Sequence, residues 1–198
     1  ECNLIRYAGL YWAATYPSAT ANGSYINLRR RSNRVPVGSG RSNEFDRVKF
    51  KIPGHDYIDI EADEILYDGI TSTDPSMRQN SPYACYADVT ELITSLPDPE
   101  GEYTVANMRA TVGGLFPGGG SAGGWTLVIV YENPSLTGKY ISTFDGFARV
   151  NNQNNVSIDY SGFETIPNGQ VKVDLGAATL EGDYRIDGDQ LHIKAASS

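Results

Sequence analysis

The sequence has few of the residues that metal sites and catalytic triads commonly use. Its 198 residues include two histidines, His55 and His192, and two cysteines, Cys2 and Cys85. Zinc sites need three or four nitrogen or sulfur ligands at typical spacings, and a hydrolytic triad needs a histidine base, for which only His55 and His192 are available. We therefore expect neither a zinc site nor a hydrolytic triad. The two cysteines allow one disulfide, Cys2–Cys85.

Basic charge and long apolar runs are also scarce. Lysine and arginine total 16 against 24 aspartates and glutamates, which gives a net charge of −8. A chain with this negative charge should bind nucleic acid poorly and should be repelled by anionic lipid. Its basic cluster, the arginines at 29, 30, 31 and 34, is interpreted as a solvated loop. Since no apolar run reaches the roughly 18 residues of a membrane span, we expect no nucleic-acid partner and no membrane span.

Tyrosine, glycine and proline are abundant instead, with 13, 21 and 10 copies. Tyrosine favours strands, while glycine and proline favour the turns between strands. Short apolar or alternating stretches recur along the chain with turn residues between them, which is typical of β-sandwiches and jelly rolls. The sequence therefore predicts an all-β fold: a single antiparallel β-sandwich or jelly-roll domain over residues 1–198, with one short helix and long loops.

Several stretches carry the pattern of strands. Residues 4–17 form an aromatic run that ends at a proline, as expected of a buried strand. Alternating stretches on both sides of Pro53-Gly54 predict a hairpin. The apolar residues of the first stretch should share one face: Phe45, Val48, Phe50 and Ile52. Further strands are predicted within residues 138–150, 154–163 and 169–196.

One stretch has the spacing of a helix. Its apolar residues recur at helical intervals: Val89, Leu92, Ile93 and Leu96. Asp88 or Thr90 is the predicted N-cap, and Pro97 ends the run. The predicted helix has about two turns.

A glycine-rich stretch, GGSAGGWTLVIVYENP at residues 119–134, raises the question of a phosphate-binding loop. Such loops continue into G-K-[ST] and a helix, or into the helix of a dinucleotide-binding fold. Here no lysine follows the glycines, and the next residues have the pattern of a strand. We interpret the stretch as a loop that leads Trp125 into the core. Because residues 125–131 are apolar on both faces, they predict a central strand.

Four acidic residues lie close together near the C-terminus: Glu181, Asp183, Asp187 and Asp189. Calcium prefers six to eight oxygen ligands, and Asp-rich turns with glycine often supply them. The stretch does not follow the EF-hand pattern. It predicts either a calcium site or two solvent-facing turns.

Aromatic side chains suggest a carbohydrate-binding alternative. Tyr16, Tyr25 and Tyr140 are candidates for stacking on sugar rings, although tyrosine is also a common half-buried strand residue. A glycosidase would further need two carboxylates across a cleft. No pair of positions in the sequence identifies them, so we assign no catalytic residues.

Several stretches in a fixed order resemble a module found near the N-terminal part of large bacterial surface proteins and adhesins, including gliding-motility-associated and cell-wall-associated ones. The matching stretches are AGLYWAA (8–14), VKFKIPG (48–54), YADVTELI (86–93), GEYTVANM (101–108), GGWTLVIVYENP (123–134), FDGF (144–147), EGD (181–183) and GD (188–189). Each stretch alone is a weak signal; their order and combination are specific.

The resemblance implies an extracellular, non-enzymatic module of a secreted bacterial surface protein, acting in adhesion or in the structure of surface filaments. Its expected partners are neighbouring domains or subunits, and host or surface glycans. A calcium-dependent lectin is the alternative, and a polysaccharide-acting glycosidase the next one. The family pattern continues past the position of Ser198, and the sequence begins at Glu1 without a signal peptide. We therefore expect a fragment of a larger protein.

Overall fold

The computed structural model describes residues 3–16, 27–30, 33–36, 44–110, 114–115, 122–150, 155–162, 164, 168–179 and 190–194. Its strands are β1 Leu4–Thr15, β2 Asn27–Arg30, β3 Asn33–Pro36, β4 Arg47–Lys51, β5 Ile58–Glu61, β6 Glu64–Asp68, β7 Pro82–Asp88, β8 Thr104–Ala106, β9 Gly114–Leu115 and β10 Gly123–Glu132. Its α-helices are α1 Pro75–Asn80 and α2 Thr90–Thr94, and 3₁₀ turns cover Glu44–Asp46 and Gly69–Thr71.

The strands form three antiparallel sheets, which confirms the all-β class. The main sheet has the order β10-β1-β7-β6, the second sheet β5-β4-β8, and the third sheet β3-β2-β9. The helices are short, and in the described part of the chain none is long and apolar enough to cross a bilayer. The sandwich or jelly-roll arrangement stays a prediction.

Strand β1 organises the main sheet because it is paired on both sides. Its residues from Gly9 to Thr15 pair with β7, and almost its whole length pairs with β10. Alternate side chains of a strand face opposite sides of the sheet. The core side of β1 is fully buried at Ala8, Leu10 and Trp12.

The main and second sheets share one hydrophobic core. Trp12 of β1 and Tyr83 of β7 belong to the same cluster of buried side chains as Val48 and Phe50 of β4. The Trp12 indole Nε1 donates a hydrogen bond to the carbonyl oxygen of Phe45 at 3.0 Å. The Tyr83 hydroxyl donates to the carbonyl oxygen of Arg109 at 2.6 Å. Two buried aromatic residues of the main sheet are thereby bonded to the backbone that flanks the second sheet.

The predicted hairpin across Pro53-Gly54 is confirmed. Strands β4 and β5 pair antiparallel, and Gly54 has a φ of 75°, a backbone conformation that glycine adopts without a steric penalty. The four apolar residues expected on the core face are all buried: Phe45, Val48, Phe50 and Ile52. Local alternation thus identified the core face of β4 correctly.

The predicted helix exists, but its predicted N-cap is wrong. Helix α2 begins at Thr90, and its N-cap is Val89, which makes no side-chain capping bond. The Thr90 hydroxyl instead accepts a hydrogen bond from the backbone N–H of Ala8 at 2.9 Å. The Asp88 carboxylate accepts one from the Thr90 N–H at 2.8 Å. Thr90 therefore binds the start of α2 to β1.

The structure also contains a second short helix, α1, which the sequence did not predict.

Strand β10 is not central as predicted: among the described strands it lies at the edge of the main sheet, next to β1. Trp125 and Leu127 are half-buried and pack against the core, but Ile129 and Tyr131 are exposed. The prediction is wrong because a strand with apolar residues on both faces need not have both faces covered. The sequence does not report which backbone edge is paired.

The strands predicted in the C-terminal third are not found in its described residues. Residues 137–150, 155–162, 170–179 and 190–194 have neither helix nor strand. Their sequences alternate as strands do, but a strand also needs a neighbouring backbone with which to pair. Alternation alone therefore overpredicted strands here.

The burial difference between the two tryptophans gives a test of the core. We expect Trp12→Ala to lower the free energy of unfolding by roughly 3–5 kcal/mol, because it removes a fully buried ring and the hydrogen bond to Phe45. Trp125→Ala should cost about half as much, since Trp125 is half-buried on an edge strand. Urea unfolding measures both values. Equal losses of unfolding free energy in the two variants would contradict the burial of Trp12 in the core.

Candidate functional site: a tyrosine cluster on the outer face of the main sheet

The outer face of the main sheet carries a compact group of tyrosines. Tyr7 and Tyr11 project from β1 on the side opposite the core, and Tyr86 lies directly opposite Tyr11 on β7. The three side chains are half-buried. The Tyr11 and Tyr86 rings have their centroids 5.0 Å apart and are tilted by 37°.

The hydroxyl groups of these tyrosines form a hydrogen-bonded series that ends at a carboxylate. Tyr11 donates to Asp145 Oδ2 at 3.1 Å. The Tyr7 and Tyr11 hydroxyl oxygens are 2.8 Å apart, and those of Tyr7 and Tyr86 are 3.4 Å apart. A phenol has one proton to donate. Each hydroxyl therefore donates to one neighbour at a time, and either oxygen can be the donor in the short contact between Tyr7 and Tyr11.

Gly9 makes room for this cluster. It lies between Tyr7 and Tyr11 on the same face of β1, and it is buried. A Cβ atom at this position would lie 2.8 Å from Tyr7 Cζ and 2.9 Å from Tyr11 Cε2. Both distances are too short for carbon atoms, so the two rings close over Gly9 only because it has no side chain.

Residues 144–149 contact this face from outside. Asp145 accepts the hydrogen bond from Tyr11, and the Phe147 ring stacks on Tyr67 of β6 with the centroids 3.9 Å apart and the planes 5° from parallel. Arg149 forms an ion pair with Asp74. The segment is thus bonded to two strands of the main sheet and to the turn before α1.

The hydroxyls of Tyr11 and Tyr86 keep their protons at neutral pH. Burial raises the pKa of Tyr11 above its ordinary value, and the hydrogen bonds to Tyr7 and Asp145 raise it further. Burial and the hydrogen bond to Tyr7 raise the pKa of Tyr86 in the same way. Tyr11 and Tyr86 are therefore neutral phenols at neutral pH.

Sequence reasoning did not single out this cluster. Its members are far apart in the chain, and only their cross-strand pairing brings them together. A signal was nevertheless present: AGLYWAA contains Gly9 and Tyr11, YADVTELI contains Tyr86, and FDGF contains Asp145 and Phe147. Three stretches that carry the surface-protein resemblance thus meet at one place.

The candidate sugar-stacking tyrosines have different surroundings. Tyr16 is half-buried and packs edge-on against Tyr83, with the ring centroids 6.5 Å apart. Tyr140 is exposed. Tyr25 lies outside the described residues. Carbohydrate binding at these positions stays a prediction.

The four predicted calcium ligands also lie outside the described residues: Glu181, Asp183, Asp187 and Asp189. Within the described ranges, no group of three or more histidine, cysteine, aspartate or glutamate side chains could hold a metal ion. The calcium site therefore stays a prediction.

The predicted disulfide involves one described residue. Cys85 is buried in β7 opposite Trp12, and Cys2 lies outside the described residues. The Cys2–Cys85 disulfide stays a prediction.

A calcium titration tests the acidic cluster. If Glu181, Asp183, Asp187 and Asp189 bind calcium in the folded state, a thousandfold excess over Kd adds about 4 kcal/mol of stability. We expect the Tm to rise with millimolar calcium and to fall back with EDTA, and a variant with asparagine at the three aspartates should not respond. An unchanged Tm in the wild-type chain would contradict the site. A glycan array with and without calcium then tests the lectin alternative.

The raised pKa values of the tyrosines give the fold a specific response to alkali. The folded chain holds these protons more tightly than the unfolded chain, in which a tyrosine has a pKa of about 10. Their contribution to stability is therefore fully present below that pH and is lost as the pH rises further. We expect the free energy of unfolding to fall above about pH 10, less steeply in Tyr11→Phe than in the wild type. Urea unfolding across this range measures it, and identical slopes would contradict the assignment.

No protein-family model, curated protein or solved structure matches this chain, so its own residues carry the functional argument.

Proposed function

We propose that this chain is a non-enzymatic module of a secreted bacterial surface protein, and that it acts in adhesion or in the structure of surface filaments. Neighbouring domains or subunits of the same protein are its proposed partners, together with surface glycans. The observation that carries the proposal is the large amount of exposed apolar surface in the C-terminal third.

That surface extends over several described ranges. Its exposed large apolar side chains are Leu136, Tyr140, Ile141, Phe144, Phe147, Val150, Val156, Ile158, Tyr160, Val171, Val173, Leu175, Leu191 and Ile193. Single exposed apolar residues are ordinary, but large exposed patches are a recognised mark of interaction sites. The concentration of such residues in one part of the chain supports a role in association.

The main sheet supports the same proposal. Strand β10 lies at the edge of the sheet in the described part of the chain, and its only charged residue is Glu132, at its end. Glu132 forms an ion pair with Arg6 of the adjacent strand. An apolar edge strand is suited to pairing with a further strand, which is one of the ways in which domains associate.

A surface role can be tested on intact cells of the source bacterium. We expect antibodies raised against this chain to label unpermeabilised cells, and externally added protease to remove the label. A cytoplasmic protein of the same cells, labelled only after permeabilisation, is the control. If this chain also requires permeabilisation, the surface location is wrong.

The role in association is tested by replacing exposed apolar residues in the full-length surface protein. Val171, Val173 and Leu175 are exposed, so a triple serine variant should change the stability of the isolated chain by less than about 0.5 kcal/mol per site. We expect this variant to reach the cell surface but to lower attachment or filament formation. A triple variant of exposed charged residues, Asp56→Ser, Asp59→Ser and Glu61→Ser, is the matched control. Unchanged attachment with the apolar variant would overturn the role.

A further inference from the structure

We propose that the tyrosine cluster is an oxidative cross-linking site, at which Tyr11 and Tyr86 couple through their ring carbons to form dityrosine and so join β1 to β7. The proposal concerns a modification of the chain itself. It does not depend on the proposed surface role, since it rests on the geometry of the cluster alone.

The two rings are close enough for coupling. Tyr11 and Tyr86 are cross-strand neighbours, and their ring centroids are 5.0 Å apart. A biaryl bond holds two ring centres slightly closer than this, so the rings need to approach by less than one carbon–carbon bond length. Because the ring planes are tilted by 37°, the two rings can approach each other along one edge first.

Asp145 supplies the proton acceptor that phenol oxidation requires. A phenol that loses one electron becomes a strong acid, so its proton must leave at once. Tyr11 already donates to Asp145 Oδ2 at 3.1 Å, and this hydrogen bond is the path for that proton. Tyr11 is therefore the residue of the cluster that is best placed to become the first radical.

The hydroxyl contacts connect the remaining tyrosines to Tyr11. Tyr7 lies 2.8 Å from Tyr11 and 3.4 Å from Tyr86 between hydroxyl oxygens. Hydrogen-atom transfer along these contacts lets Tyr7 pass the radical between the two partners. Coupling itself takes place between the neighbouring, tilted rings of Tyr11 and Tyr86.

The reaction balances with an external oxidant of the peroxide class and a peroxidase that delivers it in one-electron steps. Each tyrosine loses one electron and one proton and becomes a tyrosyl radical. The two radicals form one bond between ring carbons ortho to the hydroxyls, and both rings then regain aromaticity by moving the ortho hydrogens to the phenolic oxygens. One hydrogen peroxide accepts the two electrons and two protons and leaves as two water molecules.

The product would stabilise the main sheet. A covalent bond between residues 11 and 86 closes a long loop, which restricts the unfolded chain as a disulfide of the same span does. It also joins two adjacent strands whose inner side chains form the core. The cross-linked chain should therefore resist unfolding more than the chain without the bond.

The test treats the purified full chain with hydrogen peroxide and a peroxidase. We expect a monomeric product that has lost two hydrogen atoms and shows dityrosine fluorescence. Trypsin should release one joined pair of peptides, residues 7–29 with residues 79–109, and fragmentation should place the bond between Tyr11 and Tyr86. A bond between molecules only, or one that maps to other tyrosines, would overturn the proposal.

Four variants separate the cluster from general tyrosine oxidation. Tyr11→Phe and Tyr86→Phe should each abolish the joined peptide pair, whereas Tyr140→Phe, at an exposed tyrosine, should leave it unchanged. Asp145→Asn keeps all tyrosines and removes the carboxylate, so coupling should become slower. Circular dichroism verifies that each variant is folded. Coupling that survives Tyr86→Phe overturns the site, and an unchanged rate in Asp145→Asn overturns the role of the carboxylate.

Discussion

The hydrogen bond from the Trp12 indole to the Phe45 carbonyl joins the main sheet to the second sheet. Trp12 is buried on the core side of β1, and Phe45 lies in the 3₁₀ turn Glu44–Asp46 that precedes β4 of the second sheet. A buried carbonyl without a partner is costly, so the bond fixes how the 3₁₀ turn before β4 meets β1. Tyr83 makes a similar hydrogen bond, from its hydroxyl to the carbonyl oxygen of Arg109, which follows β8 in the chain. The two bonds place β4 and β8 against β1 and β7, and the apolar residues between them complete the core.

Because β1 places its large apolar residues on the core side, its other face is available for a different chemistry. Tyr7 and Tyr11 alternate with Leu10 and Trp12 along one strand, and Gly9 allows the two tyrosine rings to close over the backbone. The register with β7 then adds Tyr86, and residues 144–149 add the carboxylate of Asp145. One strand thus specifies both the core and the tyrosine cluster, and the cluster depends on the core because the register of the sheet sets the distances between its rings.

The features that the sequence predicted well are local. The all-β class, the hairpin at Pro53-Gly54 and the core face of β4 all follow from alternation and turn residues within a few positions. The errors concern partners distant in the chain. Thr90 does not cap its helix because its hydroxyl accepts a hydrogen bond from Ala8, which is far away in the sequence. Strand β10 lies at an edge because, among the described strands, only β1 pairs with it. The cluster was missed for the same reason: Tyr11, Tyr86 and Asp145 share no spacing, and their proximity is decided by strand register.

Among the described strands, β6 and β10 form the two edges of the main sheet, and these edges differ in charge. At one edge, β6 has two carboxylates among its five residues, Glu64 and Asp68. At the other, β10 has ten residues with a single carboxylate at its end, already neutralised by Arg6. A strand approaching β6 would bury negative charge, whereas one approaching β10 would meet mainly apolar side chains. Any extension of this sheet by a further strand is therefore favoured at β10, so a series of such modules would be added with one polarity.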